Sequence, residues 1–157
     1  MEDGGVIIGL DPGTTETGCV LLDGYKPIYS GVMPNAHVIP WLQTFGRATH
    51  LACEWVQSYG MPVGAEVFDT VRWIGRFQQS WHTPDRVQFI TRKQVALHIC
   101  NSPRANDATI RQAVIDQFGG KGAAIGRKAN PGPLYAVKSH AWQALAVALT
   151  AFDGGVK

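Results

Sequence analysis

Apolar and polar positions alternate in short runs over the first third of the chain and shift to a helical period further on. Residues 6–11, 17–23 and about 27–33 carry strand-like runs, and Asp23-Gly24 between the last two is a strong hairpin signal. Three successive strands joined by turns are predicted there. Asn35 is placed to cap a short helix with Val38, Trp41, Leu42 and Phe45 as its apolar face and Pro40 in its first turns. Residues 49–56 read as a buried strand carrying a single acid, Glu54. A loop with Gly60, Pro62 and Gly64 leads into an amphipathic helix over about 65–81. Its inner positions are Val67, Val71, Ile74, Phe77 and Trp81, and Arg72, Arg76 and Gln79 face outward. Residues 86–91 predict another strand and 93–99 a short helix. A further helix follows Asn106, with Ile110, Val114, Ile115 and Phe118 as its stripe and Gly119-Gly120 as its stop.

Residues 119–133 break the pattern. Five glycines and two prolines alternate with Lys121, Arg127 and Lys128, which predicts a mobile basic loop ahead of a last helix at roughly 138–152. There is no internal repeat and no linker between two domains. A three-strand meander followed by alternating helices and strands fits one α/β domain over residues 1–157, a mixed five-stranded sheet with helices on both faces.

Composition narrows the class. Hydrophobic residues make up 45% and charged residues 17%, as in a soluble globular protein. No apolar stretch is long enough for a bilayer, and the N-terminus lacks a basic-then-apolar signal segment, so no membrane association is expected. Cys19, Cys53 and Cys100 are odd in number and show no CxxC spacing. They are expected to be buried free thiols in a reducing compartment, hence a cytoplasmic protein. A net charge of +2 permits nucleic-acid binding without arguing for it.

The chemistry concentrates at strand ends. Asp11 closes the run Val6-Ile7-Ile8-Gly9-Leu10, and Pro12-Gly13-Thr14-Thr15 turns the chain at once. Alternation sets Ile7, Gly9 and Asp11 on one face, so the carboxylate sits at the mouth of a sheet, where it could hold a metal or a phosphate, or simply start the turn. Glu54, flanked by Ala52, Cys53, Trp55 and Val56, is costly to ionise there unless it binds a cation or pairs with an arginine from another element. His140 and Gln143 lie three residues apart, on one face of the last helix. Laid against the two acids, that helix would complete a site for a divalent ion.

These residues resemble a family. Ile8-Gly9-Leu10-Asp11-Pro12-Gly13, Ala52-Cys53-Glu54 and Ser139-His140-Ala141-Trp142-Gln143 are similar, in order and spacing, to RuvC-type Holliday junction resolvases of the RNase H-like superfamily. The segment from Arg92-Lys93-Gln94-Val95 through Arg104-Ala105-Asn106-Asp107 is similar to the basic stretch before those enzymes' penultimate helix. The likeness spans nearly the whole chain and is nearest to the small resolvases of bacteriophages, which would place the protein in a host cytoplasm. It implies an RNase H-like fold and a homodimer that cuts four-way (Holliday), and potentially other branched, DNA symmetrically. It also implies Mg²⁺ or Mn²⁺ as cofactor and products with a 5′-phosphate and a 3′-hydroxyl. By position, Asp11, Glu54, His140 and Gln143 would be the catalytic and metal-holding residues. Gln143 departs from the family's usual aspartate: it offers a carbonyl but no charge, while an imidazole at 140 suits Mn²⁺ better than Mg²⁺. Asp107 is the nearest substitute acid in sequence, and ordinary helix N-terminal chemistry accounts for it equally.

DNA contacts would come from Arg72, Arg76, Arg92, Lys93, Arg104, Lys121, Arg127, Lys128 and Lys138, with Tyr59 or Met61 as a wedge at the junction centre. The mixed apolar faces of helix 65–81 suggest a partner subunit on one side. Asp11-Pro12-Gly13-Thr14-Thr15 also resembles the phosphate turn of the sugar kinase and actin superfamily, but those proteins enclose ATP between two such domains. The remaining rivals are a non-catalytic junction binder with a degenerate metal site and an RNase H-type nuclease acting on RNA–DNA hybrids.

Overall fold

Two glycines let the last helix lie directly on the sheet. A β-carbon on Gly9 would fall 2.2 Å from the Ala144 carbonyl oxygen, and one on Gly18 would fall 2.3 Å from that of His140. Only a hydrogen fits at either position, so backbone packs on backbone.

The computed structural model describes residues 5–154. The meander is β1 (Val6–Asp11), β2 (Glu16–Asp23) and β3 (Lys26–Pro34), followed by α1 (Asn35–Leu42) and β4 (Thr49–Trp55). After α2 (Ala65–Ser80) and a 3₁₀ turn at Pro84–Arg86 come β5 (Gln88–Thr91), α3 (Arg92–Cys100) and α4 (Asp107–Gln117). The chain closes with α5 (Lys121–Ala124), β6 (Gly126–Arg127), β7 (Asn130–Pro131) and α6 (Ala141–Phe152). The main sheet runs β3-β2-β1-β4-β5, antiparallel through the meander and parallel from β1 to β4 to β5. It is the mixed five-stranded α/β sheet with helices on both faces that the alternation predicts.

The two faces bury different sets. Ile7, Val20, Leu22, Ala52 and Ile90 join α3, α4 and α6, whereas Ile8, Leu10, Cys19, Leu51 and Cys53 join α1 and α2. Helix α6 is buried from Ala141 to Ala151. It is apolar all round because the sheet covers one side and α3 and α4 cover the other. Among the described residues no helix is long and apolar enough to cross a membrane.

Several expectations need correction. Residues 119–133 are built, not loose: α5 and the β6–β7 ladder fold there, pinned by fully buried Ala124 and Leu134 and by the Leu134 N–H donating to the Ala124 carbonyl at 2.8 Å. The glycines serve geometry, since Gly119, Gly120 and Gly126 have positive φ. The last helix begins at Ala141 because Ser139 turns left-handed at φ 52°, leaving Lys138 before it and His140 as its cap residue. Asn35 is the first helical residue and does not cap. Its buried amide accepts from Thr17 Oγ1 at 2.6 Å and donates to the Gly13 carbonyl at 2.9 Å, which fastens the turn after Asp11. Phe45 lies beyond α1, although it still packs on that side of the core. Strand β5 starts at Gln88, and Arg86 belongs to the 3₁₀ turn. Cys19 and Cys53 are buried free thiols, but Cys100, ending α3, is only half-buried.

Candidate active site

Strand register brings the two acids together. Leu10 pairs with Cys53 across the parallel β1–β4 ladder, so one further step sets Asp11 beside Glu54. Both side chains take the α6 side by alternation. Both are buried, at 9% and 7% exposure. Burial pushes the carboxyl of Asp11 up, partly opposed by Glu54 and by the Arg92 charge. Glu54 is pushed up to about 8, first by burial and then by the Asp11 charge, with Arg92 pulling the other way. Two acids packed this closely behave as a pair that retains a proton unless a cation replaces it.

Helix α6 supplies the other two predicted ligands. His140 Nδ1 lies 3.4 Å from Asp11 Oδ2, and the imidazole is largely exposed. Gln143, one turn in, is buried. Among the described residues, Glu54 Oε2 and Gln143 Nε2 are the buried side-chain polar atoms without a hydrogen-bond partner. Each lies beside Asp11, Gln143 in one cleft and Glu54 in another.

Glu54 also has the arginine partner its burial calls for. Arg92 Nε donates to Glu54 Oε1 at 3.0 Å, and its Nη1 lies 3.3 Å from Asp107 Oδ1. Arg92 is held there as the first residue of α3, where Thr91 and Gln94 form a capping box. Asp107 thus enters the constellation through Arg92. It shares a cleft of about 460 Å³ with Asp11, Arg111, Lys121, His140 and Gln143. A second cleft of about 350 Å³ runs past Asp11, Glu54, Trp55, Tyr59 and Arg92.

The other predicted contacts divide. Lys121 lines the first cleft and Tyr59, 60% exposed, the second. Arg72 and Arg76 line a smaller neighbouring recess with Thr14 of the turn after Asp11, and Arg76 stacks 4.2 Å from the Trp73 ring. Lys93, Arg104, Arg127, Lys128 and Lys138 are exposed outside these recesses, as is Met61. Sequence reasoning missed Arg111, whose guanidinium lies 4.7 Å from the Trp142 ring centre. Its signal was the four-residue step from Asp107, which sets both on one helix face.

The donors present fit one hard divalent cation. An orphaned buried carboxylate oxygen and two acids raised by burial are what such an ion would satisfy, and His140 and the Gln143 amide stand beside them. Among the described residues, no three His, Cys, Asp or Glu side chains form a ready-made cluster.

The chain matches no protein-family model and no curated protein. Among solved structures it is similar to Thermus thermophilus RuvC, with TM-score 0.63 and 22% identity over 95% of each chain. It is also similar to T. thermophilus RuvC in complex with Holliday junction substrate, with TM-score 0.66 and 22% identity over 96% of this chain and 95% of that one. At that identity the likeness establishes a shared fold, the RNase H-like arrangement of RuvC.

Proposed function

We propose that the protein is a structure-selective endodeoxyribonuclease that resolves four-way DNA junctions, using Asp11, Glu54, His140 and Gln143 to hold Mg²⁺ or Mn²⁺. The observation that carries this reading is Asp11, paired by strand register with buried Glu54, lying in one cleft with His140 and Gln143 of α6 and with Arg111 and Lys121. A bound cation would supply Lewis-acid polarisation of the scissile phosphodiester and charge for the pentacoordinate transition state. The residues do the rest. Arg111 and Lys121 fix the phosphate backbone in the cleft, and the Trp142 ring supports the Arg111 guanidinium. His140 Nδ1, beside Asp11, is the ring nitrogen turned toward the acid pair and so the one that would reach the cation. Tyr59 supplies an aromatic face for an unstacked base next to the acids. A homodimer would match the symmetry of the junction, and Phe68, 65% exposed on α2, gives it an apolar contact.

One observation favours a second reading. Arg92 already occupies one oxygen of Glu54, and Gln143 adds no charge, which suits a junction binder that does not cut. Incubation of labelled four-way junction, linear duplex and RNA–DNA hybrid with Mg²⁺ or Mn²⁺ separates the possibilities. Paired symmetric nicks on the junction, lost in Asp11→Asn, are expected. Tight junction binding with no nick selects the binder, and cleavage of the hybrid alone selects an RNase H-type nuclease.

A further inference from the structure

Arg92 occupies an unusual place: it is half exposed, yet it contacts an acid that is 93% hidden from solvent and a second acid that is open. Its Nε satisfies Glu54 Oε1 at 3.0 Å, while Glu54 Oε2 receives no hydrogen bond from Arg92 or from any other basic side chain. The guanidinium therefore compensates the acid pair only in part, and from one side. The Arg92–Asp107 contact stands between the two clefts, both of which reach Asp11. An arginine so placed is a cation that the protein supplies to itself, on a side chain long enough to leave.

We infer that Arg92 is a displaceable counter-ion: it holds Glu54 while the site lacks a divalent cation, is released when one binds, and then serves a DNA phosphate. The inference rests on the metal-dependent reading above and adds a coupling to it. Two acids, Glu54 and Asp107, contact the guanidinium, and the charge of Asp11 acts on it from behind Glu54. A divalent cation on the acid pair makes that guanidinium redundant and repels it. The freed side chain lies in the cleft with Tyr59 and Trp55, where a phosphate is the partner its planar fork fits. Cation and DNA would thus assist each other through one residue, and the assistance is reciprocal by thermodynamic linkage. Asp107 acts here as the outer anchor that keeps the guanidinium aimed at Glu54, a positioning role that needs no contact with an ion.

Mn²⁺ binding to the DNA-free protein, followed by electron paramagnetic resonance, tests this without any turnover. Arg92→Gln is expected to bind Mn²⁺ about tenfold more tightly than wild type, within the usual range of coupling between sites. Arg92→Lys, which keeps the charge but cannot span two carboxylates, should fall between them. Circular dichroism confirms that each variant is folded. In parallel, Ca²⁺ should tighten junction binding by wild type and do so several-fold less for Arg92→Gln. Wild-type Mn²⁺ binding that is unchanged or weakened by Arg92→Gln overturns the counter-ion role and leaves the metal site standing. Failure of wild type and both variants to bind Mn²⁺ overturns the metal-site reading and this inference with it.

Discussion

Gly18 of β2 and His140 touch through their backbones: a β-carbon on Gly18 would lie 2.3 Å from the His140 carbonyl oxygen and 3.1 Å from the Ala141 nitrogen. The entry of α6 into the site is therefore set by a missing side chain. It places His140 Nδ1 3.4 Å from Asp11.

Gly18→Ala is expected to push the first turn of α6 off the sheet, because backbone atoms cannot give way as a flexible side chain would. Overpacking of this kind costs about 2 kcal/mol. Urea denaturation should show that loss, and Mn²⁺ affinity should fall with it because His140 and Gln143 move together. Gly75→Ala provides the contrast. It lies inside α2 with nothing near its β-carbon, so the substitution should stabilise by roughly 0.4–1 kcal/mol through the unfolded chain. Equal effects at the two positions would mean that the close approach does not set the helix.

Gln143→Asp exchanges a buried amide without a donor-side partner for a third buried carboxylate. Without metal the protein should melt at lower temperature, since an unpaired buried charge is more costly than an unpaired amide. With Mg²⁺ or Mn²⁺ the order should reverse, and junction cleavage should quicken. Melting curves with and without the cation check both halves. A metal-independent loss would show that position 143 is not a ligand.

Much of this site was legible because parity needs only local sequence. Alternation from Val6 to Asp11 and around Glu54 assigns both acids to one face, and β1–β4 pairing does the rest. Arg92 was foreseen as a basic residue near the site, but its pairing with Glu54 spans 38 positions, and burial alone says that a partner exists without naming it. Residues 119–133 misled because glycine and proline signal turns and looseness alike. What orders the segment is two apolar residues ten apart, Ala124 and Leu134, too sparse to register as a period. The start of α6 was read three residues early because nothing in Lys138-Ser139 foretells a left-handed serine.

At the far end of the sheet, Asp153 ties three elements together. It accepts from the Tyr25 hydroxyl of the β2–β3 turn and lies 2.9 Å from His98 Nε2 of α3, while Tyr25 packs edge-on against Phe152. These groups are partly solvated, so Asp153→Ala should cost only about 1 kcal/mol. Junction affinity and Mn²⁺ binding should not change, because no cleft at the acid pair includes these residues. Denaturation alongside a binding titration checks the separation; weaker Mn²⁺ binding would tie this end of α6 to the site.

Stability should fall as pH rises, opposite to the usual behaviour of a paired carboxylate. Glu54 is held at about 8 against an ordinary 4.5, with burial the largest cause and Asp11 the next. Between those values the folded protein binds a proton that the unfolded chain has given up, so each step up in pH favours unfolding. The contribution is fully present below about 4.5 and is lost as pH passes about 8. Asp11, also raised by burial, acts in the same direction. Glu54→Gln removes the Glu54 titration and should flatten the slope in metal-free buffer, leaving the variant more stable than wild type above pH 8. Mn²⁺ competes with that same proton, so it should stabilise wild type most at the alkaline end and release protons on binding below it. Chemical denaturation from pH 5 to 9, with and without Mn²⁺, measures both slopes. A wild-type curve that rises with pH in the absence of metal would mean that Arg92 outweighs burial and that Glu54 is ionised throughout.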